Sequence, residues 1–332
     1  MLTESFRAPR WLSNPHLQTL GAALPLWAPP TSFAPGAGER VLVALPQGDG
    51  ALVARAWWHV EAEPRRTIVL IHGVGGSSES KYMMRGAVAM FRAGYHVLRL
   101  NMRGAGEGVT EATSLYHAAM TGDVRAVVDA LALDPRARDV AVVGFSLGGN
   151  LALMFAATLG DAAPANLRGV ASISAPTDIP AVADELERAR TLPYRAYVVR
   201  NLVANARAFA KHHPARTRFD AKGLSTVRTI RQYDDRVIVP MHGFASTRDY
   251  YERASSGPHL KNIRVPTLMV HAEDDPMVPG RTVSPSLRDL PPSVQVAWSQ
   301  SGGHVGWISG IHEKRWVNTW AIDRVIAFVS RL

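Results

Sequence analysis

The sequence of 332 residues contains no cysteine, which excludes disulfide bonds, thiolate metal ligands and a cysteine nucleophile. It also has no apolar run long enough to span a bilayer, and its first twenty residues lack a basic stretch followed by an apolar segment. These absences predict a cytoplasmic protein without stable membrane insertion.

Lysine is scarce, since only five of the 37 basic residues are lysine. The net charge is +9, but the arginines are scattered, and no run of Lys and Arg exceeds two or three residues. The sequence also lacks zinc-finger and RNP-type signatures. We therefore expect no nucleic-acid partner, despite the basic charge.

Eight short apolar segments rich in β-branched residues recur along the chain, bounded by Gly, Pro or Asp. They are residues 40–45, 51–58, 67–71, 96–100, 139–144, 169–174, 266–271 and 294–298. From the third segment onwards, helical periodicity appears around residues 79–92, 119–133, 147–159, 281–290 and 314–331. The alternation predicts an α/β fold class with an eight-stranded, mostly parallel sheet flanked by helices. The short turn after the first strand predicts an antiparallel hairpin at one edge.

The alternation of strand and helix segments is interrupted between the sixth and seventh predicted strands, where the sequence has helical periodicity and is rich in arginine and aromatic residues. We interpret residues 177–262 as an inserted helical lid. The core then comprises residues 39–176 and 263–332, and residues 1–38 form an N-terminal arm packed on it. Within the arm, Asn14-Pro15 indicates a turn and Leu17 a buried anchor.

The fifth predicted strand runs directly into Gly144-Phe145-Ser146-Leu147-Gly148 and then into a helix. This G-x-S-x-G pattern between a strand and a helix is typical of a nucleophile elbow, in which a sharp turn exposes the serine hydroxyl. The alternative is a Gly-Ser turn, or a helix cap in which Ser146 satisfies backbone donors. The position between strand and helix favours Ser146 as a nucleophile.

A serine nucleophile needs a carboxylate and a histidine further along the chain, in that order. Glu273, Asp274 and Asp275 follow the seventh strand, and we choose Asp275 because it directly precedes the Pro-Met-Val-Pro segment, with Asp274 as the alternative. After the eighth strand, His304 lies among glycines that free its backbone. His312 is the other candidate, but no glycine loop surrounds it.

The glycine cluster after the third strand predicts half of an oxyanion hole. Its two donors would be the backbone N–H groups of Val74 and Leu147. A phosphate-binding loop is the alternative, but Lys81 lacks the neighbours that the G-x-x-x-x-G-K-[ST] pattern requires. No metal-ligand spacing occurs either, and we expect neither a metal nor another cofactor.

Nine motifs distributed over nearly the whole chain carry a resemblance to a known family. They are residues 14–20 (NPHLQTL), 72–80, 101–108, 116–124, 144–150, 233–244, 249–251, 273–276 and 302–307. In these motifs the chain resembles the YheT-like α/β-hydrolases, a group that includes abhydrolase-domain lipid esterases and medium-chain fatty-acid ethyl ester synthases/esterases. The resemblance implies a Ser146, Asp275 and His304 triad acting on carboxylic esters with apolar acyl groups. It also raises the possibility that His16 or Gln18 borders the pocket.

The predicted function is a serine esterase that acts on a small-molecule ester with a short- to medium-chain or lipid-like acyl group. An acyltransferase with an alcohol acceptor is the alternative, and a non-catalytic binding protein is a third possibility. Aromatic residues of the predicted lid are candidates for lining an acyl pocket: Tyr194, Tyr197, Phe209, Phe219, Tyr233, Phe244, Tyr250 and Tyr251. We expect Asp234 and Asp235 to pair with arginines of the lid.

Overall fold

An eight-stranded sheet forms the centre of the molecule in the computed structural model, which describes residues 6–23, 33–34, 36–60, 64–312, 315–317 and 320–332. The strands are β1 (Glu39–Ala44), β2 (Ala51–Trp57), β3 (Arg65–Ile71), β4 (His96–Asn101), β5 (Ala137–Phe145), β6 (Leu167–Ile173), β7 (Thr267–Ala272) and β8 (Val294–Ser299). All eight predicted strands are confirmed. The strands β4 and β7 are buried along their whole length, which suits strands covered on both faces, whereas the edge strand β1 is mostly exposed.

The sheet order is β1-β2-β4-β3-β5-β6-β7-β8. The strands β1 and β2 form the predicted antiparallel hairpin at one edge, β2 is also antiparallel to β4, and the remaining neighbours are parallel. The carboxyl ends of β3, β5, β6, β7 and β8 therefore meet at one edge of the sheet. Ligands bind at this edge in open α/β sheets.

Helices cover both faces of the sheet. In chain order, the α-helices of the described residues are α1 (Pro15–Ala23), α2 (Lys81–Arg92), α3 (Thr121–Ala132), α4 (Leu147–Leu159), α5 (Ile179–Glu187), α6 (Leu192–His212), α7 (Ile230–Tyr233), α8 (Val239–His242), α9 (Thr247–Ala254), α10 (Gly280–Val283) and α11 (Trp320–Val329). Successive residues of the central strands point to opposite faces of the sheet and belong to two separate apolar cores. Val69 packs in the core with α3 and α4, whereas Leu70 packs in the core with α2 and α11.

Residues 177–262, called the insertion below, lie between β6 and β7 and consist of helices and turns, including a π-helical segment at Asp234–Ile238. Their role as a lid stays a prediction. The predicted arm, residues 1–38, is only partly described, because residues 1–5, 24–32 and 35 lie outside the described part of the chain. Among the described residues, no helix combines the length and hydropathy needed to cross a bilayer.

Two predicted helices differ from the structure. The helix predicted at 281–290 is the short α10 followed by a 3-10 turn at Ser284–Leu287, because Pro285 has no N–H to continue an α-helix. The helix predicted at 314–331 begins only at Trp320. Before it, Arg315–Val317 (β10) pairs with Gly310–His312 (β9) in a small hairpin.

Candidate active site

The turn between β5 and α4 presents the hydroxyl of Ser146 at the carboxyl edge of the sheet. Ser146 has a φ of 51° and a ψ of −119°, a conformation that costs a non-glycine residue on the order of 1–3 kcal/mol. The flanking glycines are required by close packing. A Cβ on Gly144 would lie 2.0 Å from the Gly148 carbonyl oxygen, and one on Gly148 would lie 2.4 Å from the His72 oxygen. The pattern therefore has the tight geometry of an elbow.

The three residues predicted as a triad form one hydrogen-bonded chain. The imidazole Nδ1–H of His304 donates to Oδ2 of Asp275 at 2.7 Å, and the hydroxyl of Ser146 donates to Nε2 at 3.0 Å. The side chains come from segments 129 and 29 residues apart, after β5, β7 and β8. His304 is 8% exposed and Asp275 is 2% exposed, so the carboxylate–imidazole contact is shielded from water.

Asp275 faces His304 because its other oxygen is fixed by the backbone. Its Oδ1 accepts the N–H groups of Met277 and Val278, each at 2.8 Å. The two other acids point elsewhere: Asp274 accepts the Gly303 N–H at 3.0 Å, and Glu273 accepts the indole N–H of Trp298 at 3.0 Å. Of the three acids that the sequence offered, only Asp275 reaches the imidazole.

Two tyrosine hydroxyls hold the glycine loop after β3. The Gly73 N–H donates to the hydroxyl of Tyr82 and the Gly75 N–H to that of Tyr116, both at 2.8 Å. Burial raises the pKa of Tyr82 to about 12 and also raises that of Tyr116, so neither adds negative charge beside the loop at neutral pH. The sequence predicted no role for either tyrosine, although Tyr116 begins the 116–124 motif, because its contact with Gly75 joins residues 41 positions apart.

Along the chain, Val74 lies between Gly73 and Gly75, whose N–H groups donate to the two tyrosine hydroxyls. In the described part of the chain, neither this N–H nor that of Leu147, the first residue of α4, has a hydrogen-bond partner. Val74, Leu147 and Ser146 line the same pocket. The two predicted donors are therefore unengaged among the described residues and belong to residues that border the same pocket as Ser146.

An apolar pocket opens beside Ser146, and most of its wall belongs to the insertion. The aliphatic wall includes Ile179, Val182, Leu186, Leu202 and Ile238. Of the eight aromatic candidates, Tyr233, Tyr250 and Tyr251 line this pocket, whereas Phe209 is buried in the core that the insertion shares with the sheet. The pocket has the apolar character that suits an acyl chain.

Asp234 is the acidic residue of the pocket wall, and it is 7% exposed. The prediction that it pairs with an arginine is wrong: Oδ2 accepts the hydroxyl of Tyr251 at 2.7 Å. Burial raises the pKa of Asp234 to about 7. Asp235 is likewise bonded to Thr247 at 3.5 Å rather than to an arginine.

The sequence also led to expectations for a metal site, for an alternative catalytic histidine and for residues of the N-terminal arm. In the part of the chain that the structure describes, histidine and carboxylate side chains do not gather in any group of three or more that suits a metal ion. The side chain of His312, the alternative base, lies outside the described residues. His16 and Gln18 are not among the residues that line the pocket. Leu17 is 48% exposed, so its prediction as a buried anchor is wrong.

Comparison with known proteins agrees with this architecture. A model of the α/β-hydrolase fold family matches residues 66–310. The protein YheT of Escherichia coli (strain K12) is 31% identical over 324 residues, covering 97% of this chain and 93% of that protein. Phospholipase ABHD3 of Mus musculus is 28% identical over 322 residues, covering 94% of this chain and 75% of that protein.

Among solved structures, 2,6-dihydroxy-pseudo-oxynicotine hydrolase is similar to this chain in fold. The TM-score is 0.59 at 19% identity, and the match covers 95% of this chain and 72% of that chain. The family model and YheT both span the strands that carry the elbow, the acidic loop and most of the sheet. The chain therefore belongs to the α/β-hydrolase family and, within it, to the YheT-like group of esterase- and lipase-like serine hydrolases.

Proposed function

We propose that this protein hydrolyses carboxylic esters with short- to medium-chain or lipid-like acyl groups through an acyl-enzyme on Ser146. The observation that carries the proposal is the hydrogen-bonded chain from Asp275 through His304 to Ser146, ending at an apolar pocket. A serine hydroxyl at its ordinary pKa is a poor nucleophile, and this arrangement supplies the base that activates it.

In the acylation step, Nε2 of His304 accepts the hydroxyl proton while Oγ of Ser146 attacks the ester carbonyl carbon. Asp275 accepts the Nδ1–H, which fixes the tautomer that leaves Nε2 free to take the proton and stabilises the imidazolium that forms. The imidazolium then donates this proton to the leaving alcohol oxygen as the carbon–oxygen bond breaks. Water repeats the sequence on the acyl-enzyme and releases the carboxylic acid.

The negative charge on the carbonyl oxygen of each tetrahedral intermediate needs donors that are already in place. The N–H groups of Val74 and Leu147 are assigned this role, because both border the pocket beside Ser146 and are otherwise unengaged among the described residues. The start of α4 adds the positive end of its helix dipole at Leu147. Removing one such donor from an acyl-transfer enzyme costs about 10²- to 10³-fold in turnover.

The substrate class follows from the pocket wall. Its aliphatic side chains favour an apolar acyl group, and the proposed lid role of the insertion that supplies them is consistent with this. The name of the relative phospholipase ABHD3 supports a lipid-like ester. An alcohol that replaces water in the second step gives transesterification by the same residues, which is how the acyltransferase alternative arises.

Turnover of p-nitrophenyl esters of increasing acyl length tests this function. We expect kcat/KM to rise from acetyl to a medium-chain ester, because each methylene buried in the pocket adds about 0.8 kcal/mol. Ser146→Ala is expected to lose at least about 10⁴-fold of the wild-type kcat with unchanged circular dichroism. Ser225→Ala, at an exposed serine, is the matched control. Wild-type kcat in Ser146→Ala would refute the proposal, and added alcohol distinguishes hydrolysis from acyl transfer by product ratio.

A further inference from the structure

The geometry points to Gln18 and Thr19 of helix α1 as positioning residues that hold the His304 loop where its imidazole reaches Ser146. The loop comprises residues 302–308, and the inference rests on the hydrolase function proposed above. Both residues belong to the NPHLQTL segment, for which the sequence offered no chemistry. Neither lines the pocket beside Ser146, so their role acts through the loop.

Thr19 contacts the backbone of the proposed base itself. Its Oγ1 accepts the N–H of His304 at 2.9 Å and donates its own proton to the Pro15 carbonyl oxygen at 2.8 Å. The second bond fixes the hydroxyl rotor, so that a lone pair remains directed at the His304 N–H. The contact joins residues 285 positions apart in the chain.

Gln18 holds the other end of the loop. Its carboxamide Oε1 accepts the Ile308 N–H at 2.6 Å, and Nε2 donates to the Ile308 carbonyl oxygen at 3.0 Å. Nε2 also donates to the Leu12 carbonyl oxygen at 3.0 Å. Gln18 is 0% exposed, so these bonds do not compete with water. A carboxamide is suited to this position because it pairs with both backbone groups of one residue.

The loop adopts a conformation that needs such external support. Val305 and Trp307 have φ values of 53° and 52°, in the left-handed region that side chains of this size rarely adopt. Gly302 and Gly303 also have positive φ. Strained backbone of this kind persists only where surrounding contacts determine it.

The contacts around the loop come from two sides. From the sheet edge, Asp274 accepts the Gly303 N–H at 3.0 Å and Ser174 accepts the Val305 N–H at 3.1 Å. From helix α1, Thr19 and Gln18 accept the N–H groups of residues 304 and 308. The helix supplies half of these four bonds, including the one to His304.

Helix α1 also approaches the loop too closely for a side chain to separate them. A Cβ on Gly303 would lie 2.7 Å from the Pro15 carbonyl oxygen and 2.8 Å from Oγ1 of Thr19. A Cβ on Gly306 would lie 3.0 Å from the Gln18 carbonyl oxygen. Because the loop packs directly on the helix backbone, displacement of α1 would shift the imidazole.

The variant pair Thr19→Val and Thr19→Ser tests this role. Valine keeps the branched shape but removes the acceptor, and a catalytic group misplaced by about 1 Å costs about 100-fold. We expect kcat to fall about 10- to 100-fold in Thr19→Val while KM stays within about twofold, because the pocket wall is untouched. Thr19→Ser restores the hydroxyl and should recover most of kcat. The rate of fluorophosphonate labelling at Ser146 should follow kcat.

Thr191→Val is the matched control, since Thr191 is buried and its hydroxyl donates to the Glu185 and Arg188 carbonyl oxygens, away from the loop. It should lower the melting temperature without lowering kcat. If Thr19→Val does not fold, Thr19→Ala replaces it, because alanine removes the same acceptor and adds no bulk or charge. A folded variant with wild-type kcat, or equal losses in Thr19→Val and Thr19→Ser, would overturn the positioning role. An inactive and unlabelled wild type would instead refute the proposed hydrolase function.

Discussion

Single residues in the acidic run after β7 have different partners although they are adjacent and chemically similar. Glu273 accepts an indole N–H, Asp274 accepts the Gly303 N–H, and Asp275 accepts the imidazole N–H of His304. The difference arises because the N–H groups of Met277 and Val278 fix the carboxylate of Asp275. Asp274 holds the loop of residues 302–308 through the Gly303 N–H, and burial raises the pKa of its carboxyl group.

The substitutions Asp275→Asn and Asp274→Asn separate these two roles. In Asp275→Asn the amide no longer fixes the productive tautomer of His304, and kcat should fall by about 10⁴-fold, a magnitude known from the corresponding change in a serine protease. Asp274→Asn keeps an oxygen for the Gly303 N–H and should lose about tenfold or less. The kcat of both variants on one ester measures the difference. The reverse order of losses would transfer the orienting role to Asp274.

The sequence predicted Ser146, Asp275 and His304 because each lies in a local pattern: an elbow, an acid before Pro-Met-Val-Pro, and a histidine among glycines. Gln18 and Thr19 could not be predicted in this way. Their partners are 290 and 285 residues away, and no local periodicity encodes a hydrogen bond to a distant loop. The only signal was their place in the NPHLQTL motif.

At the scale of elements, the insertion places a carboxyl group in an apolar wall. Asp234 begins a π-helical segment, a form often found at functional sites, and its partner Tyr251 lies on α9. Burial raises the pKa of Asp234 to about 7, so the folded protein retains a proton there that the unfolded chain releases near its ordinary pKa of 3.8. Ionisation of Asp234 therefore lowers the free energy of unfolding as the pH rises from 3.8 to about 7.

Asp234→Asn is expected to change the pH dependence of stability. The amide is neutral at every pH and keeps an oxygen that can accept the Tyr251 hydroxyl. At pH 8 the variant should exceed the wild type in unfolding free energy by about 1 to 4 kcal/mol, whereas near pH 4 the two should be similar. Urea denaturation at both pH values measures this. A stability difference that is the same at both pH values would contradict the raised pKa.

The elements predicted well are those with strong local patterns. The eight β-branched runs and α4 were found within a few residues of their observed bounds, since apolar runs bounded by Gly and Pro specify buried strands. The helix predicted at 281–290 is shorter in the structure, and the β9–β10 hairpin was not predicted. Pro285 ends the α-helical hydrogen bonding of α10. The hairpin depends on pairing between two three-residue strands, which are too short to show a periodicity in the sequence.

Over the whole molecule, the sheet topology brings the site together. The sequence predicted a parallel sheet but not the strand order β4-β3-β5-β6-β7, which places the ends of β5 and β7 on either side of β6. This order depends on long-range packing that a single sequence does not display. The site needs it, because the serine, the acid and the histidine all leave the sheet at this edge.

Buried neutral histidines make the whole molecule sensitive to acid. Burial lowers the pKa of His72 to about 4, that of His117 to about 3 and that of His242 to about 4, from 6.5. Between these values and 6.5 the unfolded chain binds more protons than the folded one, so stability rises with pH across this window. Burial also raises the pKa values of Asp123, Asp234 and Asp274, which oppose this trend, and it lowers those of His96 and His271, which add to it.

We expect the urea midpoint to fall between pH 7 and pH 5, and His117→Asn to show a smaller fall. Asparagine supplies an oxygen in place of Nδ1, which accepts the Ala119 N–H at 3.3 Å, but it does not titrate. Comparing the midpoints of both proteins at the two pH values measures the contribution of this histidine. A variant that retains the full pH dependence would show that His117 is not among the groups responsible.

If Asp275 and His304 make the hydroxyl of Ser146 nucleophilic, this oxygen should react with a fluorophosphonate, which intact-mass and peptide mass spectrometry detect. The wild type should gain one adduct, on the peptide containing Ser146. The adduct should be absent from Ser146→Ala and form at least about 10³-fold more slowly in His304→Ala. A folded wild type that gains no adduct, or gains it at another residue, would show that Ser146 is not the activated nucleophile.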